Sequence, residues 1–171
     1  MKNRRILAKL MLLMMLLVVS CRKDDLPKAT QSGANTIAAK INGKAWQKKA
    51  CTSCIGGGSA LEINYDDRNF FGVGGQNRDQ NITISIIIKS LKSTGTYDLK
   101  EQNINYAQVS AYNNVTTHYY TSTSNSGQVN ITKLDLENHI ISGTFNFTAG
   151  DENNPANTIK ITDGSFDVKY Y

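Results

Sequence analysis

From residue 36 onward, apolar side chains recur at every second position. Between Asn81 and Ser90 the isoleucines stand at 82, 84, 86 and 88 with Thr83 and Ser85 between them, the period of a strand with one buried face. Ile87 breaks the alternation and predicts that this strand is covered on both sides. The same rhythm runs through Leu61, Ile63 and Tyr65, through Ala107, Val109 and Ala111, and through Val129 and Ile131. It returns at Ile141, Phe145 and Phe147, at Ile159 and Ile161, and at Phe166, Val168 and Tyr170. Few stretches after Cys21 have the i, i+3, i+4, i+7 spacing of an amphipathic helix, so little helix is expected.

The interruptions carry turn chemistry. The breaks fall at Asn42-Gly43, residues 66–69, residues 93–95, Glu137-Asn138 and Asp163-Gly164; Asn-Gly and Asp-Gly tolerate the positive φ of tight hairpins, which predicts antiparallel neighbours. The buried parity slips by one residue between Ile131 and Leu134, and a bulge near Lys133 would account for it. The expected fold is all-β: an antiparallel sandwich or partly open barrel of about 9–11 short strands joined by connections too brief for helical crossovers.

The amino terminus has a different character. Residues 1–9 hold Lys2, Arg4, Arg5 and Lys9, and Leu10 to Val19 form an unbroken apolar run of ten residues. This is the layout of a secretory signal peptide and is too short for a membrane span, which needs roughly 20 apolar residues. Val18-Val19-Ser20-Cys21 resembles a bacterial lipobox, which implies cleavage before Cys21 and acylation of its thiol and new amino group. Several acyl chains would make a stable anchor. Arg22-Lys23-Asp24-Asp25 resembles the export signal of surface lipoproteins in the Bacteroidota. The expected organisation is a lipoprotein signal over residues 1–20, a lipid anchor and flexible tether over residues 21–35, and an antiparallel β domain over residues 36–171.

Charge changes the list of partners. The chain of 171 residues holds 19 Lys+Arg and 14 Asp+Glu. Four of those cations precede residue 20, leaving 15 basic against 14 acidic residues. So balanced a domain has no basic stripe to release counterions from a phosphate backbone, and nucleic acid is not an expected partner.

A family resemblance rests on three stretches. Ala39 to Trp46 (AKINGKAW), Gly95 to Leu99 (GTYDL), and Ile141 to Phe147 with Thr162 to Tyr170 (ISGTFNF, TDGSFDVKY) look like a family of small all-β surface lipoproteins of unknown function from the Bacteroidota. The resemblance implies fold and location and carries no activity, because its motifs are strand and turn residues.

Cys51-Thr-Ser-Cys54 is a C-x-x-C, and in an oxidising compartment it predicts a local disulfide. A redox pair would need a helix start at the first cysteine, whereas this motif runs into Ile55-Gly56-Gly57-Gly58. Zinc would need two further ligands, and His118 and His139 stand in separate hairpins, so no metal or other cofactor is expected. Without a G-x-S-x-G elbow both histidines read as surface residues. The carboxylates Asp66, Asp67, Asp98, Glu101, Asp135, Glu137, Asp163 and Asp167 fall in turns or at outward positions, and Gly74-Gly75 reads as a mobile loop or a bulge. With Ala107, Val109 and Ala111 facing the core, Tyr106, Gln108, Ser110 and Tyr112 share the opposite face, to which the next hairpin would add Tyr119 and Tyr120. Flat rings interleaved with amides and hydroxyls suit stacking on sugars or partner recognition. The expectation is a non-enzymatic outer-membrane lipoprotein, exposed at the cell surface through Cys21, that binds a glycan or another extracellular ligand. A structural or assembly component of an envelope complex is the alternative, and a hydrolase comes last.

Overall fold

A computed structural model describes residues 26–51, 59–66 and 68–171. The signal region, Cys21, Cys54, the Gly56–Gly58 run and Asp67 lie outside them. Eleven strands and no helix make up the described residues. They are β1 (Thr36–Ile41), β2 (Lys44–Gln47), β3 (Leu61–Tyr65), β4 (Phe71–Asn77), β5 (Ile82–Ile88), β6 (Gly95–Leu99), β7 (Asn105–Tyr112), β8 (Thr116–Tyr120), β9 (Gly127–Asp135), β10 (Ile140–Asp151) and β11 (Thr158–Lys169).

One antiparallel sheet runs β2-β1-β11-β10-β8-β7-β5-β4-β3. The 12-residue β10 makes it branch: one edge pairs with β11, while the other pairs first with β9 and then, at Gly150 and Asp151, with β8. β6 extends the branch from β9. The sheet curls without closing into a barrel; among the described residues an isolated parallel bridge joins Lys49, just past β2, to Asn77 of β4.

Period-two patterning explains the interior. Phe71, Val73, Ile84, Ile86, Ile88, Val109, Phe145, Phe166 and Val168 converge on one core, where aromatic rings such as Phe71 and Phe166 meet at 5.6 Å between centroids. Trp46 is buried and donates its indole N–H to the Ile82 carbonyl at 3.4 Å. Gly75 is required here by close approach: a Cβ would lie 2.3 Å from Ile37 Cγ2 and 3.0 Å from the Trp46 ring.

The turns divide into two kinds. Asn42 and Gly43, at φ 48° and 83°, form the β1–β2 hairpin as expected. The register of β9 against β10 shifts between Lys133 and Ile131, which places the anticipated bulge at Thr132. Asp163-Gly164 is no hairpin turn. β11 runs unbroken from Thr158 to Lys169, and Asp163, at φ 52°, marks a bulge where the register shifts against both β1 and β10. Gly74-Gly75 likewise forms no loop, because both glycines pair in regular register within β4.

Asp167 differs from the outward carboxylate expected at that position. It is buried, and its oxygens accept from Thr30 Oγ1, Ser32 N (3.0 Å), Ser32 Oγ (3.3 Å), Gly33 N (2.9 Å), Ala34 N (3.0 Å) and Ser142 Oγ (2.8 Å). Burial alone would raise its pKa. The hydrogen bonds from Thr30, Ala34, Gly33 and Ser142 outweigh it and hold the carboxyl well below the usual carboxylate range. Thr30 to Ala34, expected to be flexible tether, are thus fastened to β11.

Candidate functional site

Strands β7 and β8 set the faces. Ser110 pairs with His118, Val109 with Tyr119 and Gln108 with Tyr120. Paired residues point to the same side of a sheet, so Ser110, His118, Gln108 and Tyr120 share the outer face with Tyr106 and Tyr112. Tyr119 does not. It stands opposite buried Val109 and packs against the core, and its hydroxyl accepts from Asn157 Nδ2 at 3.5 Å. The expected ligand-binding set is therefore brought together at Tyr106, Gln108, Tyr112 and Tyr120, and Tyr119 is removed from it by strand alternation.

The pairing extends this face. Gln108 is opposite Ser85 and Ser110 opposite Thr83 on β5; Ser85 is opposite Gly74 and Thr83 opposite Gln76 on β4; Gly74 is opposite Glu62 on β3. Polar groups thus form one row across five strands, from Tyr120 to Glu62, and a second across four, from His118 to Gln76, with bare backbone at Gly74. Two adjoining hollows follow, of about 350 and 240 Å³, sharing Glu62, Gly74 and Ser85 as lining. The larger runs toward Ile87 and Gly72, where the Phe70 ring lies 3.4 Å from the position a Cβ on Gly72 would take. Ile87 is half-buried on this outer face, opposite Tyr106. The trough is apolar at one end and polar at the other.

A hydrogen-bonded cluster occupies the polar end. Gln108 Nε2 donates to Ser110 Oγ at 3.0 Å and lies 3.2 Å from His118 Nδ1, while Ser110 Oγ is 2.9 Å from the same ring nitrogen. An amide nitrogen only donates, and where Gln108 donates to Nδ1 the ring is the Nε2–H tautomer. His118 is accordingly not the plain surface residue expected, whereas His139 is exposed at the β9–β10 turn. Burial raises the pKa of Tyr120, and Glu152 and Tyr106 push it further in the same direction.

Ser110 and His118 are two of the three members a nucleophilic triad needs. Among the described residues no carboxylate hydrogen-bonds to the imidazole, and no cluster of three or more His, Cys, Asp or Glu side chains is placed to hold a metal. Cys51 is disulfide-bonded; its partner lies outside the described residues, as does the expected partner Cys54.

Sequence reasoning missed His118, Thr83, Ser85, Glu62 and the glycine floor. A period-two signal existed for two of these groups: glycines at 72 and 74 and hydroxyls at 83 and 85 alternate with core positions. What was lacking was the strand order that puts them side by side.

A small antiparallel β domain with a shallow outer trough is the class these observations define. Residues 34–168 match the family described as a domain of unknown function, DUF6252, and the chain belongs to that family. No curated protein and no solved structure matches it.

Proposed function

We propose that this protein is a lipid-anchored component of the bacterial outer membrane, exposed at the cell surface through an acylated Cys21, whose β domain binds a glycan in the outer trough. The observation that carries the binding role is the trough itself. Tyr112 lines its polar hollow with Gln108 and Ser110, Tyr106 and Tyr120 flank it as strand partners of Ile87 and Gln108, and Phe70 lies over Gly72 at the apolar end. The lipobox-like residues before Cys21 and the charged cluster after it support the anchor and its surface exposure.

Glycan-array screening tests the binding role. Tyr106→Ala and Tyr120→Ala should each weaken a bound glycan at least tenfold, and Tyr119→Ala, on the opposite face, should leave the binding pattern unchanged. Binding that survives both trough substitutions removes the trough from the proposal. Radiolabelled palmitate should enter the wild-type chain and not Cys21→Ala.

A second reading, assembly with an envelope protein through a sheet edge, is favoured by β6, whose pairing is with β9 alone. A cross-linked partner lost on placing Pro at Tyr97 would select it.

A further inference from the structure

β1 and β2 approach β4 and leave a gap beside the edge strand β3. One end of the gap is fastened at the Lys49–Asn77 bridge, where Lys49 N donates to Gln76 O at 2.8 Å. The other is closed by stacked rings: Tyr65 lies 4.9 Å from Tyr170, and His139 continues the stack at 5.0 Å from Tyr170. Between these closures is a cleft of about 420 Å³ lined by Leu61 and Ile63 of β3 and by Asn35, Lys48, Lys169 and Tyr170. That volume lies within the usual range of small-molecule sites.

Its chemistry is amphipathic. Leu61, Ile63 and Tyr170 pack against the core while remaining partly open. Lys48 and Lys169 are half-buried in the same cleft, and among the described residues neither ammonium has an ion-pair or hydrogen-bond partner. Lys49, Lys100 and Lys133 on the same molecule each pair with an aspartate. Two unpaired cations lining one cleft beside apolar walls favour an anion there.

We propose that this seam binds an amphipathic carboxylate, an alkyl or aryl acid whose apolar body lies against Leu61, Ile63 and Tyr170 and whose head is held by Lys48 and Lys169. Ile63 borders both this cleft and the trough, but Lys48, Lys169 and Tyr170 line the cleft alone. Leu61 and Ile63 occupy the inward face of β3, and Glu62 on the same strand belongs to the outer one, so either site can fail without the other.

The test compares three probes of equal chain length below their micellar concentrations: decanoate, decanol and decyltrimethylammonium. The full-length chain is used with Cys21→Ser, so that no acyl group competes. Calorimetry should show saturable 1:1 binding of decanoate at least tenfold tighter than decanol, with the cation weakest, and decanoate should shift the Leu61 and Ile63 methyl resonances. The double variant Lys48→Gln/Lys169→Gln should bind decanoate no better than decanol while decanol affinity stays unchanged, which also reports an intact cleft. Equal affinities for decanoate and decanol in the wild-type chain, unmoved Leu61 and Ile63 methyls, or a preference for decanoate that survives the double substitution would each overturn the proposal.

Discussion

Asp167 and Ser110 are both buried polar residues, exposed at 1% and 4%, yet they serve opposite ends. Around Asp167 six donors converge on one carboxylate, and the group is consumed in holding residues 30–34 to β11 and β10. Around Ser110 the partners are the side chains of Gln108 and His118, each half-open to solvent beside a trough with Gly74 in its floor. A saturated buried charge is a fastening, because adding water or ligand gains nothing there. Half-open groups at the mouth of a hollow keep donors and acceptors to offer.

The largest break in this comparison comes from Asp167→Ala, which strands several donors at once and should cost about 3 kcal/mol of stability in chemical denaturation. It should also change the acid response. A carboxyl whose folded pKa is depressed contributes stability above its unfolded value of about 3.9, and that contribution is lost as pH falls through the folded value. The wild-type melting temperature should drop as pH goes below about 4, and the variant should drop less steeply. Some slope should remain, because Asp135, hydrogen-bonded by Asn138 and Lys133 and held at about 2, acts in the same direction. An unchanged slope in Asp167→Ala would mean that the fastening is not ionic.

Two adjacent glycines give a smaller and sharper contrast. Gly75→Ala drives a methyl to 2.3 Å from Ile37 and should destabilise by about 2 kcal/mol through overpacking. Gly74→Ala points into the trough, where Ser85 Oγ at 3.0 Å is the nearest atom and the next lies at 3.8 Å; it should stay within about 0.5 kcal/mol of wild type while narrowing the floor and weakening glycan binding. Equal losses of stability would show that the trough face is as tightly packed as the core. The smallest effect is spectroscopic. Nitrogen-15 NMR of neutral His118 should report the Nε2–H tautomer, and the double variant Gln108→Ala/Ser110→Ala should convert it to a mixture. A wild-type ring protonated at Nδ1 would reverse the hydrogen-bond directions given above.

Much of the strand content was legible because alternation is a local property. The isoleucines of β5, the Asn42-Gly43 hairpin and the parity slip near Lys133 each report their structure within a few residues, and each is found in place. The candidate site was legible only in part. Alternation on β7 predicted that Tyr106, Gln108 and Tyr112 share one outer face, which the pairing shows, but adding Tyr119 together with Tyr120 contradicted the same period-two rule, since neighbours in a strand point to opposite faces.

The sequence by itself determined that this chain is antiparallel β, where most strands break and which side of each strand is apolar, because pleat and turn geometry act over two to four residues. Tertiary structure decided the rest. Asp163-Gly164 has the chemistry of a turn and becomes a bulge only because β1 and β10 both pair with a continuous β11. Asp167 looks like any strand carboxylate until residues 133 to 137 positions away in the chain converge on it. Gly72, Gly74, Thr83, Ser110 and His118 become one trough only through strand order, which is set by burying a shared core and leaves no mark at any single position.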